Sequence, residues 1–143
     1  MLKGIPNILS PELLKILMEM GHGDEVVLAD GNFPAASNAQ RLVRCDGQNL
    51  PDLLDAILQL FPLDASVKHS VSLMGVDQGD NYIPEIRKDY KHIVNKYDNH
   101  FTDFDIVERF DFYARAKKAY AIVATSEMAR YANIILKKGI ITD

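Results

Sequence analysis

The sequence predicts an α/β fold, a single-domain layered structure in which a mixed, mostly parallel sheet is flanked by helices. Short apolar runs typical of buried strands alternate with segments whose apolar residues recur at helical spacing, as in parallel sheets. The last two predicted strands follow each other too closely for a long helical crossover, which predicts a mixed sheet. A length of 143 residues fits one domain, and no repeat, low-complexity tract or linker divides residues 1–143.

The first predicted helix begins at residues 10–12, because Ser10 is a favoured N-cap residue and Pro11 suits the first helical turn. Its apolar stripe at helical spacing consists of Leu13, Leu14, Leu17 and Met20. Gly21 and Gly23 end this helix on either side of His22. The apolar run 26–29 then predicts a buried strand, and Asp30 follows at its carboxyl end.

The remaining elements follow from the same two periodicities and from turn residues. Gly, Asn, Pro and Ser content predicts a loop over 30–37, and Asp46-Gly47 predicts a turn. Strands are predicted over 41–45, 71–76, 105–108, 120–124 and 134–137. Helices are predicted over 51–60, which Pro62 follows, over 84–96 and over 110–118. Residues 77–80 read as a polar turn, and 125–132 as a polar connection with room for one helical turn.

Composition limits the classes of partner. A net charge of −4 gives no basic surface, which argues against nucleic-acid binding as the main role. No apolar run approaches the ~20 residues of a membrane span, and the N-terminus has no signal-peptide pattern. The one cysteine, Cys45, excludes an intrachain disulfide and is interpreted as a core residue rather than a catalytic thiol. We therefore expect a cytoplasmic protein without membrane association.

Recognised metal, phosphate and nucleophile motifs are missing from the sequence. The four histidines form no His-x-x-x-His spacing and there is no Cys-x-x-Cys, so a metal site has weak support. The glycine-containing stretches do not complete a P-loop, and no Gly-x-Ser-x-Gly nucleophile elbow is present. These absences direct attention to polar residues at strand ends and in loops.

Eight polar residues occupy such positions: His22, Asp30, Asp77, Arg109, Tyr113, Tyr120, Tyr131 and Asn133. Carboxylate, guanidinium, amide and phenol groups together suit a neutral polyol, whose hydroxyls need both donors and acceptors. In open α/β sheets ligands bind beyond the carboxyl ends of strands, where Asp30 lies. His22 precedes the same strand, and oligomer symmetry could bring a neighbour's turn to the site.

Each of these residues also has an ordinary structural interpretation. His22 and Asp30 could shape turns, Tyr113 and Tyr120 could be core aromatics, and Arg109 could pair with a surface carboxylate. Tyr131 and Asn133 could share one face of a strand entry or form a strand edge and a turn. Spacing alone therefore predicts an α/β domain and leaves a binding site for a small polyol as one interpretation among others.

Several separated stretches jointly resemble the L-fucose mutarotase and D-ribose pyranase family of sugar-anomer isomerases. They lie in the family's order over nearly the whole chain: residues 9–15, 19–25, 32–34, 46–47, 109–117, 131–133 and 136–139. Gly-His-Gly-Asp-Glu at 21–25 and Asn-Phe-Pro at 32–34 are more similar to the fucose branch. Thr125-Ser-Glu departs from the family's Thr-Gly-Glu, so Ser126 is expected to strain the turn if that position needs a positive φ.

The resemblance implies interconversion of the α and β anomers of a free sugar, L-fucose, without a cofactor. It also implies a ring-shaped homo-oligomer, a decamer, with sites near subunit boundaries. His22 matches the family's catalytic histidine, and Tyr120 matches a position less securely tied to catalysis. The matches to sugar-binding positions are Asp30, Arg109, Tyr131 and Asn133.

The chemistry of mutarotation suggests roles for these residues. The hemiacetal ring must open and reclose, so one group protonates the ring oxygen while another removes the anomeric hydroxyl proton. A histidine exchanges protons near neutral pH, which makes His22 the main acid/base. Asp30 would orient His22 or hold a sugar hydroxyl, and Tyr120 or a water would provide the second proton relay. The alternatives are a D-ribose pyranase, which interconverts pyranose and furanose forms, and a non-catalytic sugar-binding protein of the same fold.

Overall fold

The computed structural model describes all residues, Met1–Asp143, and contains one six-stranded sheet and five helices. The strands are β1 (Glu25–Ala29), β2 (Leu42–Cys45), β3 (Val71–Met74), β4 (Asp105–Val107), β5 (Ala121–Thr125) and β6 (Ile134–Lys137). The helices are α1 (Pro11–Glu19), α2 (Ala35–Asn38), α3 (Leu50–Leu58), α4 (Ile86–Tyr97) and α5 (Arg109–Lys118). None of the helices has the length and apolar character needed to cross a bilayer.

The sheet is mixed and mostly parallel, which confirms the predicted fold class. Its strand order is β2-β5-β1-β6-β3-β4. Strand β6 runs antiparallel to both of its neighbours, β1 and β3, whereas every other pairing is parallel. Five strands therefore end on the same side, which we call the carboxyl end of the sheet, and the opposite side is its amino end. Because β6 is reversed, the residues just before it also lie at the carboxyl end.

Helices cover both faces of the sheet and bury the apolar runs of the strands. The larger core contains 27 buried residues and joins one face to α1, α3 and α4, while 11 buried residues pack the other face against α2 and α5. In β1, Val26 and Leu28 enter the larger core, whereas Val27 and Ala29 enter the smaller one. This two-sided burial explains why residues 26–29 of β1 are continuously apolar rather than alternating.

Side-chain caps fix where two of the helices begin. Ser10 Oγ accepts a hydrogen bond from the Leu13 N–H at 3.2 Å, as the sequence predicted for the start of α1. Glu108 caps α5 by accepting from the N–H groups of Phe110 and Asp111. Since β4 ends at Val107, this cap makes Arg109 the first residue of α5, at the carboxyl end of the sheet.

Most predicted elements are present with boundaries shifted by a few residues, and two expectations in the connections are wrong. The loop predicted over 30–37 contains the start of α2, where Asn38 Nδ2 and Ser37 Oγ both donate to the Pro34 carbonyl. The connection 125–132 contains no helical turn. Its backbone is held by contacts to the loop after β1, including Gly31 N–H to the Glu127 carbonyl at 2.9 Å.

Candidate active site

An open cleft of about 270 Å³ lies at the carboxyl end of the sheet. The ends of β1 and β3, the start of α5 and the residues before β6 all contribute to it. It is lined by Asp30, Asn32, Phe33, Met74, Asp77, Arg109, Tyr113, Arg130, Tyr131 and Asn133. The four residues predicted to bind sugar, Asp30, Arg109, Tyr131 and Asn133, therefore meet in one cavity although they come from separate parts of the chain.

Asp30 is buried and held by the backbone around it. Its N–H donates to Asn133 Oδ1 at 2.7 Å, and its own Oδ1 accepts from the Asn32 N–H at 3.0 Å. Burial raises the pKa of Asp30 above its ordinary value, and the surrounding hydrogen bonds oppose that shift. The Asn133 side-chain oxygen is directed at the Asp30 backbone, so the Asn133 Nδ2 hydrogens remain as donors. Nδ2 lies 3.8 Å from Met74 Sδ.

Arg109 supplies a fixed positive charge to the cleft. Its Nη1 donates to Asp77 Oδ2 at 3.1 Å, and its Nε donates to the Tyr113 hydroxyl at 3.4 Å. Tyr113 and Asp77 both raise the pKa of Arg109, so the guanidinium stays protonated. Two residues from the sequence-derived polar set, Asp77 and Tyr113, thus line the cleft and orient a predicted sugar-binding residue.

One wall of the cleft is apolar. The rings of Phe33 and Tyr113 pack at 5.3 Å between centroids, and Phe33 also meets the buried ring of Phe112 edge-on at 6.1 Å. Met74 at the end of β3 adjoins this wall. Polar groups opposite an aromatic surface match a sugar ring, which has hydroxyls at its rim and C–H groups on its faces.

Tyr131 has an unusual backbone conformation at the mouth of the cleft. Its φ is +55°, and it is the only non-glycine residue in the chain with a positive φ. Its hydroxyl donates to Asp80 Oδ2 at 2.9 Å, a contact that raises the pKa of the phenol. A non-glycine residue with a positive φ costs free energy, and such residues concentrate at functional sites.

The structure shows no backbone strain at Ser126, contrary to the expectation from the sequence. Its φ is not positive, and its Oγ accepts from the Gly47 N–H at 2.8 Å. The Ser126 N–H also donates to the Gln48 carbonyl at 3.0 Å. The turn before Tyr131 therefore accommodates serine, and its strained residue is Tyr131 itself.

His22 lies in a turn at the amino end of the sheet. Its Nε2 is 3.3 Å from Asp64 Oδ1, and half of its side chain is exposed. Gly23, with φ +85°, donates its N–H to the Lys138 carbonyl at 2.8 Å and so fixes the turn. Asp64 is almost fully buried, and hydrogen bonds from Ser66 and His22 lower its pKa, which keeps it ionised.

Tyr120 lies at the same end of the sheet as His22. It immediately precedes β5, which pairs with β1, and its N–H donates to the Glu25 carbonyl at 2.8 Å. Its hydroxyl donates to Glu19 Oε2 at 3.0 Å, and the Arg41 guanidinium lies 4.0 Å from its ring centre. Burial and the Glu19 contact raise the pKa of Tyr120, so the phenol remains protonated.

Within one chain, the predicted catalytic and binding residues occupy opposite ends of the sheet. The five residues of β1 separate His22 from Asp30, and a strand of that length spans roughly 16 Å at about 3.3 Å per residue. The carboxylate that contacts His22 is Asp64, not Asp30. One chain thus brings together the four predicted sugar-binding residues but brings neither His22 nor Tyr120 to them.

Sequence reasoning missed several residues of the cleft. Asn32, Phe33, Met74 and Arg130 were not predicted site residues, yet all line it. Their shared signal is position, because each lies at or just after the carboxyl end of a strand or shortly before β6. The chain contains no cluster of three or more His, Cys, Asp and Glu side chains able to hold a metal ion. Cys45 is a free, buried thiol at the end of β2, as predicted.

Comparison with known proteins gives one consistent picture. The RbsD / FucU transport protein family model matches residues 3–141. An L-fucose mutarotase from Haemophilus influenzae is 48% identical over 98% of this chain and 97% of that protein. The crystal structure of the fucose mutarotase from Streptococcus pneumoniae in complex with L-fucose is 56% identical, with a TM-score of 0.92 over 99% of this chain and all of that one. RbsD from Bacillus subtilis, complexed with D-ribose, has a TM-score of 0.74 at 21% identity over 94% of this chain and 95% of that one, a likeness of fold alone.

Proposed function

The chain belongs to the RbsD / FucU family, and we propose that it is a cofactor-independent sugar mutarotase that interconverts the α and β anomers of L-fucose. The observation that carries this proposal is the cleft at the carboxyl end of the sheet, where polar side chains face an aromatic wall. It contains both hydrogen-bond donors and acceptors suited to a neutral monosaccharide. The relatives that are similar over nearly their full length and named as fucose mutarotases support the same reaction.

Four side chains would bind the sugar. Asp30 offers a buried carboxylate as acceptor, while Arg109 and the Asn133 amide offer donors. Tyr131 offers its phenol at the mouth of the cleft. The Phe33–Tyr113 wall would pack against the C–H face of the ring. Positioning the open-chain sugar between these groups would keep its carbonyl carbon close to the attacking hydroxyl, which favours reclosure on either face.

His22 would be the acid/base that opens and recloses the ring. Mutarotation needs one proton delivered to the ring oxygen and one removed from the anomeric hydroxyl, with these roles reversed on closure. Asp64 is ionised and accepts only, so the His22 nitrogen beside it carries a hydrogen in the neutral ring. The other nitrogen, Nδ1, is then free to exchange a proton with the sugar. Tyr120, whose hydroxyl donates to Glu19 Oε2, would relay the second proton through that carboxylate, or a water would do so.

The catalytic residues would reach the cleft from a neighbouring chain. His22 and Tyr120 share the amino end of the sheet, whereas the sugar-binding residues share the carboxyl end. A head-to-tail contact between two copies would bring these unlike surfaces together, and such contacts generate rings when the rotation closes. This arrangement favours the ring-shaped homo-oligomer that the resemblance implies, and the proposed decamer rests on the resemblance alone. The free thiol of Cys45 suits the cytoplasm as the location of this assembly.

Saturation-transfer NMR on L-fucose and D-ribose at anomeric equilibrium would test the function. We expect catalytic amounts of protein to accelerate exchange between the α and β signals of fucose more than exchange of the ribose signals. Faster exchange for ribose would instead assign the protein to the pyranase branch. Binding of either sugar without added exchange would contradict the proposed catalysis and leave a sugar-binding protein.

Mixed oligomers would test the shared site. A chain carrying His22→Ala and a chain carrying Asp30→Asn are each expected to be inactive alone. If the site combines His22 of one copy with Asp30 of the next, co-refolding the two variants restores part of the activity, because some interfaces contain both wild-type residues. No recovery in mixed oligomers, verified by native mass spectrometry, would contradict the shared site. The same spectra would count the subunits.

A further inference from the structure

The carboxylate of Asp80 joins the two loops that form the mouth of the cleft. In the loop after β3, its Oδ1 accepts from the Tyr82 N–H at 2.9 Å, which fixes the orientation of the carboxylate. Its Oδ2 accepts from the Tyr131 hydroxyl at 2.9 Å and from Arg130 Nη2, both of which belong to the connection before β6. Three-quarters of the Asp80 side chain is shielded from solvent.

Arg130 packs its guanidinium against two tyrosine rings beside Asp80. Its guanidinium carbon lies 4.8 Å from the centre of the Tyr82 ring and 5.3 Å from that of Tyr131, and the two rings lie 6.1 Å apart. Arg130 therefore stacks on both rings while it is paired with Asp80. Arg130 and Tyr131 line the cleft, whereas Asp80 contacts them without lining it.

The direction of the Tyr131 hydrogen bond decides what this phenol can do. A phenol has one hydrogen to donate, and an ionised carboxylate can only accept. Since the Tyr131 hydrogen is given to Asp80, the phenol oxygen can offer only its lone pairs to a ligand. Asp80 also fixes the Arg130 guanidinium, whose other N–H groups remain as donors next to that acceptor.

We propose that Asp80 is a positioning residue for sugar binding, which makes Tyr131 a hydrogen-bond acceptor and Arg130 an adjacent donor toward neighbouring hydroxyls of the substrate. The inference rests on the proposed function and adds Arg130 to the residues that contact the sugar. The positive φ of Tyr131 supports it, because a strained backbone persists only where surrounding contacts hold it. The hydroxyl and ring contacts from Asp80 and Arg130 supply that restraint.

The test compares apparent KM and kcat for fucose anomer exchange in Asp80→Ala, Asp80→Asn and Tyr131→Phe. Loss of a correctly directed hydrogen bond to the sugar is expected to raise the KM of Asp80→Ala about tenfold and to leave kcat within about twofold. Asp80→Asn retains an oxygen acceptor and should recover part of the loss. The double variant Asp80→Ala/Tyr131→Phe should have about the same KM as Asp80→Ala alone, because Asp80→Ala already removes the hydrogen bond that Tyr131→Phe removes.

Asp55→Ala is a matched control. Asp55 holds the Tyr97 hydroxyl at 3.0 Å and Lys96 Nζ at 2.9 Å between α3 and α4, away from the cleft, so its removal should leave KM unchanged. Wild-type KM in folded Asp80→Ala, or additive losses in the double variant, would overturn the inference. If Asp80→Ala does not fold, Asp80→Asn decides, and a wild-type KM there overturns it. A wild-type protein that does not exchange fucose would contradict the proposed function instead.

Discussion

His22 Nε2 and Asp64 Oδ1 lie 3.3 Å apart although the two residues are 42 positions apart along the chain. Asp64 follows the isolated bridge between Leu63 and Lys138, and its N–H donates to the Lys137 carbonyl at 3.0 Å. The Asp64 backbone is therefore held by the end of β6, and its carboxylate is held by Ser66, whose N–H and Oγ donate to Oδ1 at 3.0 and 2.6 Å. This arrangement orients an otherwise half-exposed imidazole, as a buried carboxylate commonly does for an acid/base histidine.

Replacing His22 with alanine is expected to reduce fucose anomer exchange about 10²–10⁴-fold, the usual contribution of a positioned acid/base group. NMR exchange rates and circular dichroism would be measured on the same sample. His100→Ala is the control, because His100 also lies near a carboxylate, with Nδ1 3.6 Å from Asp98 Oδ1, but belongs to an exposed loop. Full activity in a folded His22→Ala protein would remove His22 from the mechanism.

The elements that local patterns govern were predictable from the sequence. Ser10 and Pro11 indicated the start of α1, and the apolar run of β1 indicated a strand buried on both sides. The polar residues after β1 and before β6 also indicated the cleft, since the topology places both positions at the carboxyl end of the sheet. In contrast, the helix at Ala35–Asn38 has only four residues, too few for a periodicity to be visible.

Contacts made across the fold were not predictable from spacing. Nothing local marks Asp64 as the partner of His22 or Asp80 as the partner of Tyr131, because each pair is joined only when separate loops meet. The same limit applies to Ser126, whose fit depends on the Gly47 N–H of a distant turn. Sequence reasoning therefore predicted four residues that the fold brings into one cleft, and it left their hydrogen-bond partners open.

Asp30→Asn is expected to weaken sugar binding without lowering the stability of the protein at neutral pH. Burial raises the pKa of Asp30, so the ionised form is disfavoured in the folded state. The free energy of unfolding of the wild type should consequently fall as the pH rises from the ordinary aspartate pKa through the raised value, a loss that the asparagine variant lacks. At neutral pH we expect the variant to be at least as stable as the wild type, because the substituted amide still offers an oxygen to the Asn32 N–H.

The same substitution should weaken sugar binding at least tenfold, since it replaces a carboxylate acceptor with an amide donor. Urea denaturation between pH 4 and 8 and fucose titration would measure the two effects. Asp52→Asn on the exposed start of α3 serves as the control. An Asp30→Asn protein that is less stable at neutral pH, or that binds fucose normally, would contradict the assigned role.

Tyr131→Gly should be more stable than Tyr131→Ala by about 1 kcal/mol, because glycine adopts a positive φ without the steric cost paid by alanine. Both variants lose the ring, so the comparison isolates the backbone. Tyr113 in the middle of α5 provides the opposite case, where Tyr113→Gly should be less stable than Tyr113→Ala by a similar amount. Urea denaturation of all four proteins checks the prediction. If the alanine variant is the more stable one at both positions, the Tyr131 backbone relaxes when the side chain is removed.

Gly139→Ala is expected to disturb His22, the proposed acid/base, through its contact with Leu63. A Cβ at this position would overlap the backbone carbonyl of Leu63, the residue before Asp64, so the two segments would have to separate. We expect a loss of about 1–3 kcal/mol in the free energy of unfolding, as for other overpacked sites, together with slower anomer exchange because Asp64 moves relative to His22. Gly21→Ala is the stability control, since its Cβ would meet only Asp24 Oδ2 at an ordinary 3.7 Å. A Gly139→Ala protein with wild-type stability and exchange rate would show that the Leu63–Gly139 contact does not hold Asp64 against His22.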